Sequence, residues 1–202
     1  MSSNIPTLQV APGVQLAPVD FTKKSGVNLK GFSLEALCNV ASERFGADIV
    51  ENWKKLVGVD LRVVTATAWF PLEYYYHLIE YVVAQRLEGD ARAASHIGAM
   101  TAKKEINAFF RFVLGFTTPT MVLGISSRFW RSYYDKTELT VVTSTGNSVH
   151  AEVRDWPVMS EAVAYELAGA LSAWMEASRA RNVTITRLEY VANGVLRVDA
   201  KW

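Results

Sequence analysis

The sequence predicts an α+β fold: N-terminal helices packed with a C-terminal antiparallel sheet, itself made of two hairpins separated by a long helix. Three observations carry this reading. Residues 139–143 and 149–153 alternate apolar with polar side chains across Ser144-Thr145-Gly146-Asn147, the period and punctuation of a β-hairpin. Residues 183–191 and 195–202 repeat the pattern around Ala192-Asn193-Gly194, and Asn-Gly is the pair that most readily takes the φ > 0 conformations of a tight hairpin turn. Strands collect at one end of the chain instead of alternating with helices, which separates α+β from α/β.

The elements follow in order. Residues 1–30 carry Pro6, Pro12, Gly13, Pro18 and Gly26 among isolated apolar residues, so they predict an extended arm lying on the body, partly disordered at its start. Residues 31–202 are read as a single domain. Residues 32–45 predict a helix with Leu34, Leu37, Cys38, Ala41 and Phe45 on one face, stopped by Gly46. A short helix over 48–57 has Asp48 near its start and Lys54 and Lys55 near its end, which suits the helix dipole. Residues 61–68 are a β-branched run that reads as a short strand or an extended connection. Pro71 opens a helix over 72–87, whose apolar face is Leu72, Tyr75, Tyr76, Ile79, Val82 and Val83, with Glu73, His77 and Glu80 opposite on a solvated face. A central helix is expected over 91–114 on the stripe Ala99, Ala102, Ile106, Phe109 and Val113. Another is expected over 120–134 on Val122, Ile125, Phe129 and Tyr133.

In the last third, Val163, Leu167, Ala170, Leu171 and Trp174 form the stripe of the helix between the hairpins. Ala162, Gly169, Ala173 and Ala177 keep an adjoining strip narrow enough for close approach to a sheet. In the final strand Leu196, Val198, Ala200 and Trp202 point one way and Arg197, Asp199 and Lys201 the other. Trp202 and Trp174 are therefore expected in one core.

Composition narrows the function. With 21 basic against 20 acidic residues there is no field to gather nucleic acid or an anionic membrane. The single cysteine, Cys38, excludes an internal disulfide framework and fits a cytoplasmic protein. No stretch approaches the roughly 20 apolar residues of a membrane span.

No catalytic constellation emerges. Glu73, His77 and Glu80 share a helical face that could ligate a metal, but no second ligand set accompanies them, and no metal is assigned. Cys38 lies on an apolar face with no neighbouring base, the setting of a small inert hydrophobe. There is no nucleophile elbow, phosphate-binding loop or dinucleotide fingerprint. The expectation is a non-enzymatic protein without a cofactor.

Trp69-Phe70-Pro71-Leu72 opening a helix, Ile97-Gly98-Ala99 early in the next, Phe129-Trp130 before the first hairpin and the terminal Leu196-Arg197-Val198-Asp199-Ala200-Lys201-Trp202 resemble a poorly characterised bacterial, myxobacterial-type family of about this length. More distantly, residues 30–202 resemble the superfamily that joins vinyl-reductase-type ligand-binding domains, heme nitric-oxide-binding domains and the TRAPP vesicle-tethering subunits. That resemblance implies a TRAPP-like or ligand-binding-domain-like α+β fold that binds instead of catalysing. The heme-binding branch uses a proximal histidine and a Tyr-x-Ser-x-Arg motif. Here Ser126 and Arg128 stand at the right spacing with Gly124 in place of the tyrosine, so heme is not expected.

Two functions follow from the resemblance. One is a protein-interaction module, a dimerising signalling or polarity adaptor that recruits a protein partner; the other is a sensor that encloses a small apolar ligand between sheet and helices. For the first, Tyr74, Tyr75, Tyr76 and Tyr81 are the expected homodimer interface, being more aromatics than one helix face can bury. Arg128, Trp130, Arg131 and Tyr134 are the expected partner-binding patch, since tryptophan, tyrosine and arginine dominate hot spots.

Overall fold

Both hairpins form where the alternation places them. In the computed structural model, which describes residues 5–60, 65–106, 118–191 and 194–202, β4 (Glu138–Ser144) pairs antiparallel with β5 (Ser148–Arg154), and β6 (Thr184–Val191) with β7 (Val195–Lys201). Each pairing carries one irregularity of register, between Val141 and Thr143 and between Ile185 and Arg187. β7 then joins β5, aligning Val198 with Ala151 and Leu196 with Val153. The N-terminal arm adds a strand that the sequence did not announce. β1 (Gln9–Val10) pairs parallel with β6, so the sheet is mixed, in the order β1-β6-β7-β5-β4. Of the second turn only Gly194 is described, at φ 70°.

The inner face of this sheet carries Val149, Ala151, Val153, Leu196, Val198 and Ala200, all buried. The outer face carries an ionic ladder: Glu152 accepts from Arg154 at 2.6 Å and from Arg197 at 3.0 Å, and Glu189 from Arg187 at 2.5 Å. His150 pairs with Asp199 opposite it on that face. Alternation alone accounts for this division.

The α-helices among the described residues are α1 (Gly31–Phe45), α2 (Ala47–Val57), α3 (Leu72–Arg86), α4 (Ala94–Glu105), α5 (Pro119–Tyr133) and α6 (Glu161–Ala177). A small second sheet, β2 (Asn28–Lys30) on β3 (Trp69–Pro71), ties the arm to the start of α3. Caps follow local chemistry. Thr118 accepts from Met121 N at 3.3 Å with Pro119 next to it, and Ser160 accepts from Val163 N at 3.3 Å.

Four expectations change. The close approach along the Gly169 strip is to α4, not to the sheet: a Cβ on Gly169 would lie 2.0 Å from Ser95 O, and one on Gly98 would lie 2.1 Å from Glu166 O. The two glycines interlock, and the backbones meet. The helix expected over 91–114 ends at Glu105, with Ile106 already non-helical; Phe109 and Val113 lie outside the described residues. The central position belongs to α6, whose residues Ala162–Gly169 are buried without a break. Trp202 packs on the main core, whereas Trp174 packs on a separate cluster with Ile106 and Val122, so the two tryptophans do not share one core.

The Glu73–His77–Glu80 face is covered instead of solvated. Glu73 is 1% exposed and accepts from Ser25 N at 2.6 Å, and Glu80 accepts from Val19 N at 2.7 Å, so two carboxylates of α3 clasp the arm. His77 accepts from Trp53 Nε1 at 3.1 Å and stacks near Phe21, and burial lowers its pKa. These interactions account for the face without a metal. Among the described residues no three His, Cys, Asp or Glu gather as a metal site. No described helix is long and apolar enough to cross a membrane.

Candidate functional site

Between the inner face of the sheet, α5 and α6 lies an apolar cavity of about 120 Å³. Val149, Ala151 and Val198 line it from the sheet, and Leu167, Ala170 and Leu171 from α6. From α5 come Leu123, Ser126, Phe129, Trp130, Tyr133 and, just beyond its end, Tyr134. The rings are in mutual contact. Trp174 stands 6.1 Å from Phe129 and 5.8 Å from Tyr133, and Trp130 lies 4.5 Å from Tyr134. Aromatic packing therefore props α5 away from α6, whereas glycines seat α4 directly on α6.

One end of the cavity is polar. Glu105, the last residue of α4, and Glu166, in the middle of α6, both line it beside Tyr75. Glu166 is 2% exposed; its Oε1 accepts from Tyr75 Oη at 2.9 Å, and its Oε2 has no hydrogen-bond partner among the described residues. Burial pushes the Glu166 carboxyl up to about 7, against the opposing influence of the Tyr75 and Tyr76 hydroxyls. Glu105 is only partly buried, but desolvation pushes it up to about 8, with the Ser33 hydroxyl lowering it and the charge of Glu166 raising it further. Tyr75, Tyr76 and Tyr134 are raised well above the usual tyrosine range by the same desolvation, and so stay protonated donors.

Sequence reasoning did not find this pair. Glu166 sits inside an otherwise apolar helix, an irregularity visible in the sequence, but nothing in the spacing joins it to Glu105.

The expected surfaces fare differently from residue to residue. Trp130 and Tyr134 are each 9% exposed, and Trp130 Nε1 donates to Thr137 Oγ1 at 2.9 Å. Both belong to a ring cluster with Trp156 and are buried within this chain, not displayed on its surface. The stripe of α5 explains the correction. Ser126, whose hydroxyl donates to Leu123 O at 2.8 Å, faces inward in place of Ile125, which is exposed, and this rotates Trp130 and Tyr134 into the core. Arg128 and Arg131 are exposed. Of the expected dimer residues, Tyr75 and Tyr76 are buried in the core and Tyr74 and Tyr81 are partly buried against it. α3 thus buries Tyr75 and Tyr76 within the chain, while Tyr74 and Tyr81 keep part of their surface exposed.

Cys38 is buried, and desolvation pushes its thiol to about 12, leaving little thiolate to react at neutral pH.

No family model matches the chain, and no curated protein does. Solved structures do match. An H-NOX protein from S. oneidensis in the Fe(II)NO ligation state has a TM-score of 0.65 at 12% identity, covering 86% of this chain and 98% of that one. A mutant of the H-NOX protein from K. algicida, Fe(II) unliganded, has a TM-score of 0.64 at 14% identity, covering 86% and 96%. An oxygen-binding H-NOX domain related to soluble guanylate cyclases has a TM-score of 0.63 at 13% identity, covering 86% and 94%. The chain has an H-NOX-like fold.

Heme does not fit the residues at the cavity. None of the chain's three histidines lines it: His77 is held by Trp53, His150 by Asp199, and His96 lies on the exposed face of α4. Ser126 reaches the cavity, but its hydroxyl is spent on Leu123 O, and Arg128 points to solvent. A macrocycle bearing carboxylates would also have to enter a space of about 120 Å³ whose polar end is itself acidic.

Proposed function

We propose that this chain is a non-enzymatic sensor domain that binds a small, heme-free organic ligand in the cavity between α5, α6 and the sheet. The observation that carries the reading is the cavity itself: lined mostly by aromatic and aliphatic side chains, with few polar groups among them, the usual build of a ligand site. Its volume suits a single ring, since an apolar cavity of about 150 Å³ holds benzene. The H-NOX-like fold supports the reading, because the similar structures are described with small ligands bound. The resemblance to the bacterial family of about 200 residues is compatible with it.

Toluene provides the test. Added to saturation, it is expected to raise the melting temperature of the wild type and to shift the NMR signals of Ala151, Leu167 and Val198. Ala170→Phe, which fills the space, should remove both effects while remaining folded. Equal responses in both proteins, or none in the wild type, would overturn the reading. Native mass spectrometry of freshly purified protein would then identify any retained ligand.

A further inference from the structure

We propose that the ligand is a small organic ammonium ion, an apolar amine whose charge is held by Glu166 and Glu105 within the aromatic walls. This rests on the cavity being a ligand site and adds the chemical class. Glu166 lines the cavity, and its fully buried Oε2 has no hydrogen-bond partner among the described residues, so an acceptor of a charge-assisted hydrogen bond lies at the cavity wall. Glu105 adds a second carboxyl at the C-terminal end of α4, where the helix dipole is negative and favours cations.

No cation among the described residues competes for this place. The two lysines beside Glu105 are committed elsewhere, Lys103 to Glu176 at 3.1 Å and Lys104 to Glu43. The walls suit the same charge. Phe129, Trp130 and Tyr133 present ring faces and edges to the cavity, and aromatic enclosures are a recurrent way of holding ammonium groups. An anionic ligand would meet two carboxyls and, among the described residues, no base, and a purely apolar one would leave Oε2 unpaired at a cost.

The pH behaviour follows from what faces each carboxyl. Glu166 sees Tyr75 and Tyr76 from α3, Tyr134 beyond α5, and Glu105 from α4; Glu105 sees Ser33 from α1, Tyr133 from α5, and Glu166. All these partners are neutral donors or carboxyls, so without ligand the pair holds protons near neutrality. An entering ammonium displaces a proton from the pair, which goes to solvent, and leaves an ion pair with two charged partners.

The test compares benzylamine, benzyl alcohol and toluene on the full chain by calorimetry and thermal shift. Benzylamine is expected to bind at least about tenfold more tightly than benzyl alcohol at pH 8, a difference of about 1.4 kcal/mol. Its affinity should fall towards pH 6, and titrations in buffers of different ionisation enthalpy should show proton release. In Glu166→Gln, which keeps the side-chain shape and an acceptor for Tyr75, the preference should collapse while toluene still binds. Binding of toluene or the alcohol with no preference for the amine would overturn the ammonium assignment and leave the cavity reading standing. Binding of none of the three would overturn both. If Glu166→Gln fails to fold, the proton release and pH dependence of the wild type decide the matter.

Discussion

Glu166→Gln should make the protein more stable, and increasingly so as pH rises. The reason lies in the state of the buried carboxyl. Its folded pKa, about 7, lies above its ordinary 4.5, so below 4.5 both folded and unfolded chains hold the proton and the group is neutral in both. Between 4.5 and about 7 the unfolded chain gives up the proton while the folded chain keeps it, and stability falls with pH. Above about 7 both states are ionised and the loss has reached its plateau. Each pH unit of that interval is worth about 1.4 kcal/mol, so the full loss is ~3 kcal/mol.

Glutamine is neutral at every pH, close in shape to the protonated acid, and still able to accept from Tyr75 Oη. Urea unfolding at pH 5 and pH 8.5 measures the effect. Wild type and variant should lie within about 1 kcal/mol of each other at the lower pH, and the variant should gain ~2–4 kcal/mol over the wild type at the higher. Groups elsewhere, such as His77, whose lowered pKa gives an opposite slope, contribute equally to both proteins and cancel. Glu105 does not cancel. With the neighbouring charge of Glu166 gone its own carboxyl ionises more readily, which adds to the gain in the same direction. Parallel stability curves across this range would refute the claim that Glu166 is desolvated in the folded chain.

Three further outcomes are expected. Gly98→Ala should cost about 1–3 kcal/mol or more, read as a fall in melting temperature, because the new Cβ would stand 2.1 Å from the Glu166 carbonyl and force α4 off α6. Trp130→Ala should cost about 3–5 kcal/mol, whereas Arg131→Ala should stay within about 0.5 kcal/mol, the contrast between a core ring and a solvated cation. Glu80→Ala should release the arm at Val19, seen as faster proteolytic cleavage between residues 16 and 26 with a loss of about 1–2 kcal/mol.

The fold was legible wherever the pattern was strictly local. Strand alternation placed both hairpins, and the order of elements placed the sheet at the end of the chain. What escaped were arrangements that depend on a distant segment. β1 is two residues long, and only β6 makes it a strand. Glu73 and Glu80 read as a wet face because the arm that buries them precedes them by some fifty residues. Ser126 carries no hydrophobic weight, so the stripe through Val122, Ile125, Phe129 and Tyr133 takes Ile125 for an inward position, although its other residues do line the cavity. That stripe turns Trp130 and Tyr134 outward, and the Gly169 strip reads as facing the sheet because nothing local names the helix that meets it. The carboxyl pair was hidden for the same reason, since Glu105 and Glu166 meet only because Gly98 and Gly169 bring α4 and α6 together.

That glycine contact also explains how an H-NOX-like scaffold can hold a cavity of different chemistry. α6 is fixed on one side by backbone contact with α4, where no side chain intervenes and no space remains. On its other side it meets α5 through Phe129, Tyr133 and Trp174, and the width of the gap is set by ring size. The packing of α6 thus fixes where the cavity lies, while side chains of α5, the end of α4 and the middle of α6 set the chemistry of its wall. In this chain those positions carry Trp130 and Tyr133 along the wall and Glu105 and Glu166 at the end, with no histidine among them. Shape and chemistry are therefore specified by different residues. A likeness at 12–14% identity shows the fold and leaves both to be read from the cavity itself.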